Sequence, residues 1–341
     1  MNLAELHKIA CAMVTPGKGL LAADESSGTI KKRFDAVGIE STPESRRDYR
    51  ELLFRSSEAM SKYVSGVILY DETIRQKAKD GTALVALIQQ SGAIPGIKVD
   101  KGSKPLAACP GEQVTEGLDG LRERLAEYRE LGARFAKWRA VIDIGPGIPS
   151  HTCVVANAHA LGRYAALCQE QDIVPIVEPE VLMDGAHDMD RCYQVTEFVL
   201  KETFEQLYEQ RIALEGMVLK PNMVVPGKKS GQRASAEEVA ERTLKLLKNC
   251  VPPAVPGIAF LSGGQSDEEA TAHLDALNRL GELPWHLTFS YGRALQAAPQ
   301  TAWSGKSENV AAAQRAFTHR ARMNALAALG QWKADLERRA A

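Results

Sequence analysis

The sequence predicts an α/β protein, a closed (β/α)8 TIM barrel, and three observations carry that prediction. Eight short β-branched runs alternate with longer helix-periodic stretches. The 341 residues suffice for eight such units in one domain with helical extensions at both ends. No G-x-G-x-x-G turn follows the first run, as a doubly wound open sheet would require. Composition agrees: 45% hydrophobic and 25% charged residues with a formal net charge of -1 describe a globular chain, not a disordered one. The balanced charge offers no basic surface for nucleic acid or an anionic membrane. No run approaches the ~20 apolar residues of a membrane helix. A cytoplasmic protein with neither nucleic-acid nor membrane partners is expected.

In chain order, Leu6, Ile9, Ala10 and Met13 fall at helical spacing, so the N-terminus reads as a short amphipathic helix and not a signal peptide. Strands are expected at residues 20–24, 66–70, 94–99, 135–142, 173–178, 217–220, 258–261 and 287–290. Parallel strands need crossovers, which the intervening helices supply. Three helix starts fit the capping box, with Ser41, Ser235 and Ser266 each followed three residues later by Glu44, Glu238 and Glu269. Pro252-Pro253 and residues 297–305 read as connectors within a single domain spanning 1–341. Residues 309–341, Ala-rich and basic, read as a C-terminal helical segment with a short tail. The six scattered cysteines contain no C-x-x-C pair and read as reduced thiols.

Barrel strands normally carry Val, Ile and Leu inward, so ionisable residues there are costly and informative. Strand one ends Ala23-Asp24-Glu25-Ser26. Lys98 and Asp100 share a face of strand three, Lys137 and Arg139 of strand four, and Glu178 and Glu180 of strand five. Strand six ends at Lys220, before Pro221-Asn222. In a barrel these residues converge on the C-terminal mouth, where active sites of the fold are built. Opposed lysines and carboxylates are what Schiff-base chemistry requires. A nucleophilic lysine must be neutral, and its pKa falls when it is desolvated or placed beside another cation. Lys220 is the candidate nucleophile, Lys137 the neighbouring cation and Glu178 a carboxylate able to move protons.

Glycine-rich turns follow the last two strands. Leu261-Ser262-Gly263-Gly264-Gln265 precedes a capped helix, and Ser290-Tyr291-Gly292-Arg293 enters another. Backbone N–H groups at such turns hold phosphate, and Arg293 adds a bidentate fork. A phosphorylated substrate is expected. The seven histidines form no H-x-H or H-E-x-x-H pattern, so neither a metal nor a cofactor is expected.

The segments Leu20-Leu-Ala-Ala-Asp-Glu-Ser26, Gly96-Ile-Lys-Val-Asp-Lys-Gly102, Phe135-Ala-Lys-Trp-Arg139, Pro175-Ile-Val-Glu-Pro-Glu180, Gly216-Met-Val-Leu-Lys-Pro-Asn222, Leu261-Ser-Gly-Gly-Gln265 and Phe289-Ser-Tyr-Gly-Arg-Ala-Leu295 together resemble class I fructose-1,6-bisphosphate aldolase of the animal and plant type. The likeness runs in order from about residue 19 to about residue 329. It implies a metal-independent barrel enzyme of glycolysis and gluconeogenesis, a homotetramer, acting on a phosphorylated sugar. It implies that Lys220 forms the Schiff base and Glu178 transfers protons, with Asp24 and Lys137 as further catalytic groups. Ser262, Gly263, Gly264, Ser290, Gly292 and Arg293 match its phosphate turns. Ser26, Arg33, Lys98 and Arg139 match residues that contact substrate, including its second phosphate. Glu180 and Asp100 are supporting candidates.

Three positions depart from the family pattern. Asp143 stands where a lysine is usual, and Thr29 where serine is common. The family characteristically ends in a tail closing on tyrosine, whereas the last tyrosine here is Tyr291 and the sequence closes Leu336-Glu-Arg-Arg-Ala-Ala341. Two outcomes follow from this last departure: Glu178 or a water chain takes over protonation of the enamine, or, the favoured expectation, that protonation becomes the slow step. Which of Asp24 and Glu178 takes the substrate's C4 hydroxyl proton stays open at this level.

Overall fold

Period-two alternation sends every second strand residue into the barrel, and along the strands at residues 94–98, 135–142, 174–181 and 218–219 those inward positions run from apolar to charged at or just past the strand end. The computed structural model describes residues 1–281 and 283–340; Ala341, the end of the expected tail, lies outside them. In chain order the strands are β1 (Gly19–Ala23), β2 (Val64–Leu69), β3 (Ile94–Lys98), β4 (Ser103–Pro105), β5 (Gln113–Thr115), β6 (Phe135–Ile142), β7 (Val174–Val181), β8 (Val218–Leu219), β9 (Gly257–Phe260) and β10 (His286–Tyr291). All but β4 and β5 close into one parallel barrel in the order β1-β10-β9-β8-β7-β6-β3-β2. The eight expected strands are therefore present. The antiparallel hairpin β4–β5 was not expected, and it stands beside the mouth on the loop that leaves β3.

The lower barrel is apolar. Leu20, Ala22, Ile68, Phe135, Val174, Ile176, Val218 and Ala259 form one buried cluster with Leu6, Ile9, Ala10, Met13 and Val14. The N-terminal helix Leu3–Met13 thus places its predicted apolar face against the strand starts and closes that end. The Phe135 ring fills this layer because Gly96 has no side chain: a Cβ there would lie 2.2 Å from the ring. The alternate, outward residues, among them Leu21, Ala23, Ala136, Trp138, Val177 and Leu219, join a larger core beneath the surrounding helices. One step above the apolar layer, the inward columns continue as Lys98, Lys137, Arg139, Glu178, Glu180 and Lys220, with Asp24 just past β1. The change from grease to charge along β3, β6, β7 and β8, with Asp24 past β1, is what sets the site at the mouth.

Two local expectations are corrected. The first capping box is one residue later than predicted: Thr42, not Ser41, caps the helix Pro43–Phe54, reciprocally with Ser45. Proline fits best at the first helical position, so Pro43 fixes that register. Residues 297–303 are not a connector but the second half of the helix Arg293–Trp303, which runs through Pro299. The other two boxes form as read, Ser235 with Glu238 and Ser266 with Glu269. Toward the C-terminus, helix Val310–Ala327 is followed by a 3-10 segment, Ala334–Ala340.

Candidate active site

A cavity of about 410 Å³ opens at the mouth of the barrel. Asp24, Ser26, Arg33, Lys98, Asp100, Lys137, Arg139, Glu178, Glu180, Lys220, Ser262, Gly263, Ser290, Gly292 and Arg293 all line it. Gly264, alone among the candidates, does not; its N–H is directed at the Met183 sulfur, 3.1 Å away.

The strand register explains how the charges meet. Lys98 pairs with Lys137 across β3–β6, and Arg139 with Glu178 across β6–β7. The Lys220 backbone N–H donates to the Val177 carbonyl at 2.8 Å, which sets the lysine one step from Glu178. Lys137 Nζ then lies 2.8 Å from Asp24 and 3.1 Å from Glu178, and Lys220 Nζ lies 3.1 Å from the other Glu178 oxygen. Lys98 pairs with Asp100 at 3.2 Å, and Arg139 with Glu180. Each unpaired buried ion would cost several kcal/mol, so pairing is what makes the cluster tolerable.

The electrostatics divide the two central lysines. Burial pulls the Lys220 pKa down; Glu178 opposes this, Lys137 adds to it, and the net shift is downward. Burial also acts on Lys137, but Asp24, Glu178 and Asp100 outweigh it and hold that ammonium well above the usual lysine value. Lys137 is the fixed cation and Lys220 the amine that can lose its proton. Burial pushes both carboxyls up, yet Lys137 foremost, with Lys220, reverses this and holds Asp24 and Glu178 below the usual carboxylate range.

The phosphate turns flank this cluster. Gly263 adopts φ 52°, a conformation favoured by glycine, as the chain turns out of β9. The buried Ser290 hydroxyl has no protein partner. Arg293 is held by the Gln265 carbonyl and by Asp267 at 3.4 Å. Arg33 comes within 3.7 Å of where a Cβ on Gly292 would stand, so it sits beside this phosphate turn as well as the Ser26 side of the cavity.

Glu25, Thr29, Gly102 and Ser103 also line the cavity and were not among the candidates. Period two puts Glu25 on the face opposite Asp24, but β1 ends at Ala23 and alternation no longer applies. Glu25 instead turns in to bind Arg33 and to accept from Gln296 at 2.7 Å. The signal was its place in the charged Asp24-Glu25-Ser26 corner. Asp143, the charge departure, lies outside the lining; burial and the nearby Asp184 raise its pKa.

Among the described residues, no group of three or more His, Cys, Asp and Glu side chains is gathered to hold a metal ion. No helix among them is long and apolar enough to cross a membrane.

Residues 5–341 match the sequence model of the family described as "Fructose-bisphosphate aldolase class-I". The chain is 60% identical over 334 residues to "Probable fructose-bisphosphate aldolase class 1" of Xanthomonas campestris, covering 98% of this chain and 100% of that protein. It is 52% identical to "Fructose-bisphosphate aldolase 4, cytosolic" of Arabidopsis thaliana, covering 98% of this chain and 85% of that one. Among solved structures, it superposes with TM-score 0.96 and 48% identity on fructose-bisphosphate aldolase from Plasmodium falciparum, solved in complex with TRAP and a small-molecule inhibitor. That match covers 97% of this chain and 96% of the other.

Proposed function

The chain belongs to the class I fructose-bisphosphate aldolase family, and on that premise we propose that Lys220 is its Schiff-base amine, with Glu178, Lys137 and Asp24 managing the protons. The reaction is the retro-aldol cleavage of fructose 1,6-bisphosphate, a carbon–carbon lyase step through a lysine imine. Neutral Lys220 adds to the C2 ketone. The C2 alkoxide takes one proton from solvent; Glu178 takes the proton that the nitrogen sheds and returns it to the C2 hydroxyl as water leaves, so that one proton stays on the imine nitrogen. The protonated imine is the electron sink. A carboxylate of the cluster accepts the C4 hydroxyl proton, the C3–C4 electrons flow to the imine, and glyceraldehyde 3-phosphate departs. Protonation of the enamine at C3 and hydrolysis of the imine release glycerone phosphate and restore Lys220. Ser262, Gly263, Ser290, Gly292 and Arg293 hold one phosphate, and Ser26, Arg33 and Lys98 the other. This fixes the sink beside the breaking bond.

The observation that supports these roles most is the placement of one buried carboxylate, Glu178, 3.1 Å from both lysines. Lys220→Met, which keeps the side chain's length and removes the amine, tests them. Cleavage is expected to fall by several orders of magnitude with competitive binding of inorganic phosphate retained. Turnover near the parent's rate overturns the assignment.

A single barrel domain over 1–341, with 309–341 as its C-terminal segment, a homotetrameric assembly and a cytoplasmic location complete the proposal. The family resemblance supports the assembly, and the Arabidopsis relative's description as cytosolic supports the location. Light scattering at four times the 37.1 kDa chain mass tests the assembly.

A further inference from the structure

Gln265, which is buried and outside the cavity lining, ties the two phosphate turns to each other. Its side-chain Nε2 donates to the Ser262 carbonyl at 3.0 Å, and its backbone N–H donates to the same oxygen at 3.1 Å. Its own carbonyl accepts from Arg293. A primary amide has a donor end and an acceptor end, and turning it over would set Oε1 against the Ser262 carbonyl. At the other end of the amide stands the next helix, Asp267–Asn278, from which His273 Nδ1 meets Gln265 Oε1.

We propose that His273 is a positioning residue for phosphate recognition: donating from Nδ1–H, it fixes the Gln265 amide, which in turn holds the Ser262 turn and the Arg293 anchor in register. The inference rests on the reading of Ser262 and Arg293 as phosphate-binding groups. The donor role is consistent with the surroundings of the ring. Burial holds its pKa below the usual histidine value against Glu269, one turn earlier, and Glu237 on helix Ala236–Cys250. The ring is then neutral at physiological pH with a single N–H, and only the Nδ1–H tautomer can donate to Oε1.

The tautomer is measurable in the unaltered enzyme. With ¹⁵N-histidine labelling, the His273 signals are expected to show Nδ1 protonated and Nε2 bare; the reverse pattern overturns the proposal. Function is read with His273→Leu, which removes the donor, and His273→Gln, which offers an amide donor of similar reach. His273→Leu is expected to raise the KM for fructose 1,6-bisphosphate and the inhibition constant of inorganic phosphate roughly three- to tenfold, the equivalent of one hydrogen bond. Its kcat should stay within about twofold, and His273→Gln should recover most of the loss. Unchanged KM and phosphate inhibition in His273→Leu, with Arg293→Ala weakening both, overturn the role of His273 alone. If Arg293→Ala also leaves both unchanged, the phosphate reading beneath it fails.

Discussion

Lys220 Nζ and Glu178 Oε1 lie 3.1 Å apart, with the two residues 3% and 2% exposed. A buried ammonium beside a buried carboxylate is ordinarily locked in its charged form. Here the carboxylate is shared, because its other oxygen faces Lys137 at 3.1 Å. Lys137 draws on Asp24 as well, and its pKa is held well above the usual lysine value while that of Lys220 is lowered by burial and by Lys137.

Lys137→Met is therefore expected to act on the pH profile as well as on rate. Removing the cation raises the Lys220 pKa, and it also raises Asp24 and Glu178, for which Lys137 is the foremost lowering charge. Cleavage needs neutral Lys220, so the acid limb of kcat/KM should move to higher pH. The rate at neutral pH should fall about 100-fold or more. Profiles of parent and variant check this, and a limb that stays in place contradicts it.

Asp24 makes a prediction for stability. Its folded pKa is depressed, so its stabilising contribution is complete above the ordinary carboxylate value of about 4 and is lost as pH falls toward the folded value. Asp24→Asn has no such contribution to lose. From about pH 5 downward, urea unfolding should show the parent losing stability more steeply than the variant. Parallel curves contradict the depressed pKa.

Arg293→Ala is expected to weaken inhibition by inorganic phosphate and use of the bisphosphate at least about tenfold, as charge-assisted hydrogen bonds are worth roughly 1.5–3 kcal/mol. Arg293→Lys should recover only part of this, because an ammonium cannot reproduce the planar fork. Competition assays with both variants measure it, and full recovery by lysine contradicts bidentate binding.

Two glycines should respond with opposite sign. Gly96→Ala places a Cβ 2.2 Å from the Phe135 ring in the packed lower barrel and should cost about 1–3 kcal/mol in denaturant unfolding. Gly28, in helix Ser27–Asp35, has nothing within 4 Å of its missing Cβ, so Gly28→Ala should add about 0.5–1 kcal/mol. Equal effects at the two positions contradict the packing described.

The barrel was legible in the sequence because both of its periodicities are written there: alternation in strands such as residues 135–142, and capping boxes at Ser235 and Ser266. The site was legible for the same reason, since Lys137 with Arg139, and Glu178 with Glu180, must share a face wherever period two holds. What escaped lies where that period stops. Glu25 follows the end of β1 and turns inward with the corner. Gln265 and His273 meet only because a turn and the helix after it fold back on each other. The helix through Pro299 was hidden by a residue that usually breaks helices, and the β4–β5 hairpin by strands of three residues each.

Covalent trapping shows whether Lys220 is the amine that carries the substrate. Incubation with fructose 1,6-bisphosphate or glycerone phosphate, reduction with borohydride and mapping of the labelled peptide should place one adduct per chain on Lys220. Lys220→Met should take up none. An adduct on Lys137, Lys98 or any other lysine, or undiminished labelling of the variant, contradicts the claim.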